Sequence, residues 1–268
     1  MTAVQGAILA DRAPWRSTVA GTARMSAVPL WTVACFVVWA LAGIGWGGEA
    51  RRRAIARRWA GGLCRILRLR IEALGPAPET PFLLVANHLS YLDIVVLASL
   101  VDATFVAKRE VRQWPLFGPL ARAAGCIFVD RETPRDAHRA ASAIGSAVKT
   151  GRGVVLFAEG TSSDGSQVLP LRPALLEWAA AERFPVHSAA LSYHTVPGEP
   201  PPGESLCWWG NMTFLPHLAG VCRLRTASAT VAFVDQPLVA ADRRSLAAAL
   251  HTAILSRFTP SGHAECAR

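Results

Sequence analysis

The stretch VANHLSYLDIVVL, residues 85–97, sets four polar side chains inside an apolar run. Burying a polar group costs free energy unless it finds a partner. Asn87, His88, Ser90 and Asp93 therefore need a reason to be where they are. The run FLLVAN (82–87) reads as a strand, and LDIVVLASLV (92–101) reads as a helix. His88 then falls in the loop at the carboxyl end of a strand, with Asp93 in the first turn of the next helix. In open α/β sheets the sites lie at that end of the strands. An aspartate near a helix N-terminus is favoured by the helix dipole. If it reaches one ring nitrogen of His88, it fixes the tautomer and leaves the other nitrogen to take a proton from an alcohol. That is the base-and-orienter half of a triad, without a protein nucleophile. Asn87 and Ser90 read as organisers of the turn. The plain alternative is a capping aspartate and a satisfied core histidine.

The same alternation runs outward from this stretch. Residues 103–108, 126–130, 153–159, 185–193 and 227–235 read as further strands, and 115–124, 134–150, 172–183 and 242–257 as helices. Strand-helix alternation predicts an α/β fold with a mixed, mostly parallel sheet flanked by helices. GPAPETP (75–81) marks the boundary before this domain, and PGEPPPGES (197–205) reads as a loop. There is no internal repeat.

The N-terminal part has a different character. Residues 1–27 read as a flexible arm carrying Arg12, Arg16 and Arg24. Residues 28–48 hold no charge over 21 positions, enough for a hydrophobic membrane helix, with Trp31, Trp39 and Trp46 as interface markers. A cleaved signal peptide is the competing reading, although its apolar core is normally shorter. Eight arginines come next, between 51 and 70, while Ile55, Trp59, Leu63, Ile66 and Leu67 share one helical face. A basic amphipathic helix of this kind suits a membrane surface; packing of its apolar stripe on a core is the alternative. Arginines 51–58 outnumber those of the arm, so the domain beyond them is expected on the cytoplasmic side. The expected organisation is an arm (1–27), membrane-associating helices (28–74), an α/β domain (75–258) and a tail (259–268).

Charge and cysteine usage narrow the function classes. Residues 1–80 hold 11 of the 28 Lys and Arg and four of the 19 Asp and Glu, so the net charge of +9 is concentrated beside the most apolar segment. That placement favours anionic lipid over nucleic acid, whose binding needs basic and aromatic residues spread over the folded domain. The six cysteines (35, 64, 126, 207, 222 and 266) show no Cys-x-x-Cys spacing, so neither a disulfide framework nor a zinc site is expected. No carboxylate-rich cluster supports a metal-dependent phosphoesterase. His187, His194 and His217 have no ligand spacing and read as structural or surface residues. WWGNMTFLPHL (208–218) either lines a channel for an apolar chain or packs under the sheet.

Four blocks in order carry a family resemblance. NHLSYLD (87–93) matches Asn-His-x-Ser-x-x-Asp. FVAKREVRQWPLFGPLARAAGCIFVDR (105–131) has Lys108, Glu110, Pro115, Gly118, Gly125 and Arg131 in the expected places. FAEGTSS (157–163) stands against Phe-Pro-Glu-Gly-Thr-Arg-Ser, and FPVHSAALSY (184–193) is the fourth. Over about residues 75–240 the chain resembles the glycerolipid acyltransferase family, of the bacterial 1-acylglycerol-3-phosphate acyltransferase type.

The resemblance implies transfer of a fatty acyl group to the free hydroxyl of a lysolipid, with acyl-CoA or acyl carrier protein as co-substrate and no cofactor or metal. A thioester is already activated, so the alcohol attacks it directly once a base removes its proton. His88 is then the expected general base and Asp93 its orienter. Glu159, Gly160 and Thr161 are expected at the acceptor, with Glu159 either holding the hydroxyl or bracing the loop. Lys108 and Arg131 are expected to bind substrate. Backbone N–H groups are expected to meet the oxyanion. The expected place is the cytoplasmic face of a bacterial inner membrane.

Departures bear on the acceptor. Ser162 stands where the family has the arginine assigned to phosphate, Ala158 replaces a proline, and Ser188 stands where a proline is common. A serine cannot supply a bidentate charged clamp. Lys108, Arg131 and Arg172 are candidate replacements. The first expectation is 1-acyl-sn-glycerol-3-phosphate going to phosphatidic acid. The alternative is a lyso-ornithine lipid, since VAKREV, WPLFG, EGTSSDG and WWGNMTFLPHL also resemble relatives that acylate that lipid. The reading from another class is a catalytically inactive membrane lipid-binding protein, against which the intact His88 and Asp93 speak.

Overall fold

The computed structural model describes residues 14–42, 48–114, 117–130 and 133–263. Trp46 and Pro115 lie outside the described residues, as does the expected arm up to residue 13. The chain runs α1 (Pro14–Ala42), α2 (Gly48–Ile66), β1 (Leu69–Leu74), β2 (Phe82–Ala86), α3 (Leu92–Leu100), β3 (Ala103–Lys108), a 3₁₀ turn (Arg109–Gln113), α4 (Phe117–Ala123), β4 (Ile127–Val129), α5 (Pro134–Lys149) and β5 (Gly153–Phe157). It continues through a second 3₁₀ turn (Pro173–Leu176), α6 (Glu177–Ala181), β6 (Val186–Thr195), α7 (Pro202–Ser205), α8 (Phe214–Arg223), β7 (Ala227–Phe233), α9 (Arg243–Arg257) and β8 (Gly262–His263).

The strands form one sheet in the order β1-β7-β6-β2-β5-β3-β4, with β8 beside β6. Every pairing is parallel except β6 with β7. The mixed, mostly parallel α/β sheet read from the sequence is therefore the observed one. Both faces are covered, which explains why the central strands are nearly all apolar. Successive side chains point to opposite faces. Phe82, Leu84 and Ala86 of β2 join Val155 and Phe157 of β5 in the core under α2, α3 and α8. Leu83, Val85, Val154 and Leu156 join Ile144, Leu176, Leu246 and Leu250 on the other face.

The N-terminal part departs from the sequence reading at three points. First, α1 already begins at Pro14, so residues 14–27 are helix and not arm. Arg24 fastens this half to the domain by donating to the carbonyls of Cys222 (2.9 Å) and Leu224 (2.5 Å) at the end of α8. A cation there satisfies carbonyls that the helix end leaves open. Second, residues 69–74 are not part of the membrane-associating helices: they form β1, paired in register with β7 from Leu69↔Ala227 to Leu74↔Ala232. The helix stops because Arg68 adopts φ +53°, a left-handed turn usually marked by glycine. No glycine announces it, and the edge strand is mostly exposed. Third, the apolar stripe of α2 faces the protein. Ala60, Leu63, Cys64 and Leu67 are buried in the core, while Arg51, Arg53, Arg57 and Arg58 look outward.

Helix α1 lies along α2. The Trp31 indole donates to the carbonyl of Trp59 (3.0 Å), and the Trp59 indole donates to the Thr32 hydroxyl (3.2 Å). Arg52 sits over the Trp39 ring, 4.4 Å from its centroid. The rest of α1 presents Leu30, Val33, Val37, Val38 and Leu41 to the outside. Among the described residues one segment, Val19–Leu41, is long and apolar enough to cross a membrane.

Candidate active site

Strand β2 ends at Ala86, opposite Ala189 of β6. Asn87 then continues the pairing with its side chain. Its Nδ2 donates to the Leu191 carbonyl (2.9 Å) and its Oδ1 accepts from the Leu191 N–H (2.7 Å). This explains a fully buried asparagine at the end of an apolar strand: both halves of its amide are used.

The chain leaves the sheet at His88. Its main chain is held on both sides, its N–H donating to Glu159 Oε2 (3.0 Å) and its carbonyl accepting from the Ser163 N–H (3.0 Å). Its ring stacks on Phe157 at the end of β5, with centroids 4.2 Å apart. Nδ1 lies 2.7 Å from Asp93 Oδ2. Asp93 is fully buried in the first turn of α3. The same Oδ2 accepts from the N–H groups of Leu89 (2.7 Å) and Ser90 (3.0 Å), and Oδ1 accepts from the Tyr193 hydroxyl (2.6 Å). With donors converging on the carboxylate, Nδ1 must carry a proton to bond with it. In the neutral ring Nε2 is then an acceptor, and no group among the described residues occupies it. The His88 side chain remains 21% exposed, while Asp93 is sealed. The arrangement can take a proton at Nε2 from a hydroxyl placed there.

Glu159 lies at the carboxyl end of the neighbouring strand β5 and is buried. Its two oxygens accept from the backbone N–H groups of His88 and of Leu169 (2.9 Å). Of its two expected roles, this geometry is that of a brace between the two loops. Burial pushes its carboxyl up to about 8, against the pull of those two N–H donors. Gly160 has φ +81°, and the Arg172 side chain lies directly against it, at 3.0 Å from where a Cβ would stand. A side chain at residue 160 would meet both obstacles. Thr161 is exposed beside it. The Ser162 hydroxyl donates to the Trp208 carbonyl, and the Trp208 N–H donates to the Leu89 carbonyl (2.8 Å). The segment after residue 206 is thus hung on both the His88 loop and the 160–163 loop.

Other expected residues stand further off or do different work. The Ser90 hydroxyl is buried with no partner among the described residues, while its N–H serves Asp93. Lys108 is exposed at the end of β3, two strands from β2 in the sheet order. Arg131 lies outside the described residues. His217, read as structural, is buried; its Nε2 meets the Cys207 carbonyl (3.0 Å) and its Nδ1 the Tyr91 hydroxyl (3.0 Å). No group of three or more potential metal ligands occurs among the described residues.

Sequence reasoning missed Tyr193, Phe157 and Tyr91 as parts of the site. Tyr193 had a readable signal. It lies two residues after Leu191 on one strand, so its side chain falls on the same face. Tyr91, Trp208, Phe214 and His217 form an aromatic cluster whose ring pairs stand 4.9 to 5.9 Å apart around Tyr91. The run 208–218 thus splits: Leu218 packs under the sheet, and Trp208 and Phe214 pack edge-on against Tyr91 in the loop after His88.

Known proteins are similar to this chain. The acyltransferase family pattern matches residues 68–192. The lyso-ornithine lipid O-acyltransferase of Rhizobium meliloti is 39% identical over 64% of this chain and 63% of its own length, a little under two thirds. That of Brucella abortus is 35% identical over 74% of this chain and 82% of its own. The 1-acyl-sn-glycerol-3-phosphate acyltransferase of Neisseria meningitidis is 34% identical over 56% of this chain and 60% of its own. In the crystal structure of the 1-acyl-sn-glycerophosphate acyltransferase PlsC of Thermotoga maritima the same fold recurs, with a TM-score of 0.54 at 18% identity over 87% of this chain and 96% of that one. With the sheet, the His-Asp loop and these relatives in agreement, the chain belongs to the acyltransferase family.

Proposed function

We propose that this chain transfers a fatty acyl group from a thioester to the hydroxyl of a lyso-ornithine lipid. His88 Nε2 takes the proton of that hydroxyl. The oxygen forms its bond to the thioester carbon, the carbon–sulfur bond breaks, and the proton on His88 passes to the departing thiolate. Asp93 keeps the ring's tautomer and orientation through this cycle, and Phe157 keeps its plane. Glu159 holds the His88 loop to the 160–163 loop, so that base and acceptor site move as one body.

The observation that carries the choice of acceptor is the bond from the Ser162 hydroxyl to the Trp208 carbonyl. Where the family's arginine would project a guanidinium for phosphate, this chain anchors an aromatic wall instead. The relatives named for lyso-ornithine lipid support the same choice. A second reading has its own observation: Arg172, lying against Gly160, offers one guanidinium to a phosphate, so 1-acyl-sn-glycerol-3-phosphate is the rival acceptor.

Helix α1 would set this site against a bilayer, where acceptor and product both reside; its apolar outward face and the arginines of α2 support that placement on the cytoplasmic side. The test is acyl transfer by membranes holding the full chain, with both lysolipids offered side by side and His88→Ala as control. Transfer to lyso-ornithine lipid that the variant lacks is the expected result. Equal transfer by the variant removes His88 from the mechanism, and transfer to the phosphate lipid alone reverses the acceptor.

A further inference from the structure

The loop that follows β5 holds two opposite charges that the proton transfer above does not use. Arg172 supplies the first. Its N–H donates to the Ala158 carbonyl (2.8 Å), and its side chain lies over Gly160, with Nε 3.0 Å and Cζ 3.3 Å from where a Cβ would stand. The cation is thus held against the backbone at the start of the 160–163 loop. Asp164 supplies the second charge, just past the other end of that loop. Its Oδ1 accepts from the N–H (3.0 Å) and the hydroxyl (2.7 Å) of Ser166, which holds its carboxyl below the usual aspartate range. Between the two, the Ser163 N–H ties the loop to the His88 carbonyl (3.0 Å).

Neither charge is neutralised from within. Among the described residues no carboxylate pairs with the exposed Arg172, and no cation pairs with the half-buried Asp164. Glu159, the residue before Gly160, turns inward to the N–H groups of His88 and Leu169. Burial pushes its carboxyl up to about 8, so near neutral pH it offers Arg172 no counter-charge. Opposite charges on one loop attract. These two are each fixed by an anchor of their own, Arg172 on Gly160 and Asp164 by Ser166, and do not meet. A cation and an anion held apart in this way are complementary to a ligand that carries both signs. We infer that Arg172 and Asp164 together read the amino-acid head group of the acceptor, Arg172 taking its carboxylate and Asp164 its ammonium. The inference rests on lyso-ornithine lipid being the acceptor and names the contacts that select it.

The chemistry of the two head groups decides between them. Ornithine acylated on one amine keeps its carboxylate and its other amine, and both are charged near neutral pH. A planar guanidinium matches a carboxylate with two parallel bonds. The ammonium finds Asp164 Oδ2, which has no partner among the described residues. A phosphate monoester fares worse. Its negative charges would share the loop with that of Asp164, and such repulsion selects against the wrong ligand. The cation absent at Ser162 is thus returned from residue 172, and an anion is set near it that a phosphate site would not carry.

The test uses membranes holding the full chain and offers lyso-ornithine lipid, its carboxyl methyl ester, its amine-acetylated form and 1-acyl-sn-glycerol-3-phosphate. Arg172→Met keeps a stem over Gly160 and loses the charge. Asp164→Asn keeps an oxygen for Ser166 and loses the charge. Arg172→Met should raise KM for lyso-ornithine lipid about 10–100-fold, the loss expected for charge-assisted bonds, and leave KM for the methyl ester within about twofold. Asp164→Asn should raise KM for the free lipid about 3–10-fold and leave KM for the acetylated form within about twofold. Arg172→Lys should recover part of the first loss. A melting curve like that of the parent chain shows that the variants fold. Equal losses with free and capped lipids make the two residues structural and overturn the inference. So does an unchanged KM for the free lipid in either charge-removing variant. A parent chain that takes lyso-ornithine lipid and both capped forms equally well also overturns it, while sparing the acceptor reading. A parent chain that acylates the phosphate lipid alone removes that reading and the inference with it, and a KM rise for that lipid in Arg172→Met then gives the cation to phosphate.

Discussion

Asp93 Oδ2 stands 2.7 Å from His88 Nδ1 and takes two backbone N–H bonds on the same atom. Asp93 is therefore the keystone of its loop as well as the partner of the His88 ring. An Asp93→Asn change puts an NH₂ group among donors. Leaving such groups unsatisfied costs about 1–3 kcal/mol. Turnover should fall roughly 10³–10⁴-fold, the scale seen when an orienting aspartate is replaced by its amide elsewhere. His88→Ala should lose as much turnover with a smaller change in melting temperature, since the main-chain bonds of residue 88 to Glu159 and Ser163 are kept. Comparing the two melts with the two rates separates positioning from proton transfer.

Tyr193→Phe removes only the hydroxyl that donates to Asp93 Oδ1. The ring stays packed in the core. The expected loss is about 1 kcal/mol of stability, and a fall in kcat with little change in either KM. An altered KM for the acceptor with normal kcat would instead make Tyr193 part of the binding surface.

Ser162→Ala frees the Trp208 carbonyl and should loosen the 207–217 segment without touching His88. The acceptor KM is expected to rise several-fold while the pH profile of kcat stays the same. Ser162→Arg has no room for this bond, so it should weaken lyso-ornithine transfer more than the alanine does. Kinetics with both lysolipids check each variant.

Glu159 gives a pH signature to stability. Its folded carboxyl sits at about 8 against an ordinary 4.5. Between those values the folded state keeps a proton that the unfolded state has lost. Stability contributed at this position should therefore fall as pH rises from about 4.5 to about 8, and level off above. Melts from pH 5 to 9 of the parent chain and Glu159→Gln, the latter flatter over that window, are the check.

Gly62 of α2 faces the Trp31 indole of α1 so closely that a Cβ there would overlap the ring. Gly62→Ala should push the two helices apart and break the tryptophan bonds between them. The expected outcome is weaker retention in membranes, seen as protein released by a carbonate wash.

The six strands from 82 to 235 were legible because apolar runs bounded by turn residues have the period and length of buried strands. β1 was not. Its residues come after an arginine-rich helix with no glycine between, and an exposed edge strand lacks the apolar signal. The outward reading of α2 failed for a related reason: a stripe at helical spacing reports an apolar partner and not which one, and here it is the core. At the site, the His88–Asp93 spacing was readable as sequence because five residues bridge a strand end and a helix start. The four-donor environment of Asp93 was not, because Tyr193 comes from 100 residues away. Glu159 was readable as important, but its bracing role depends on two N–H groups that no residue type announces.

The Asn87 side chain extends the β2–β6 ladder by one rung, so the His88 loop is carried by the sheet itself. The aromatic wall proposed for the acceptor, by contrast, hangs from Leu89 and Ser162 by two bonds to the backbone of Trp208. Heredity can therefore edit the wall without editing the anvil. Segments exchanged at 207–217 between relatives should carry head-group taste with them, making this short stretch a module for breeding new lipid preferences onto an unaltered catalytic frame.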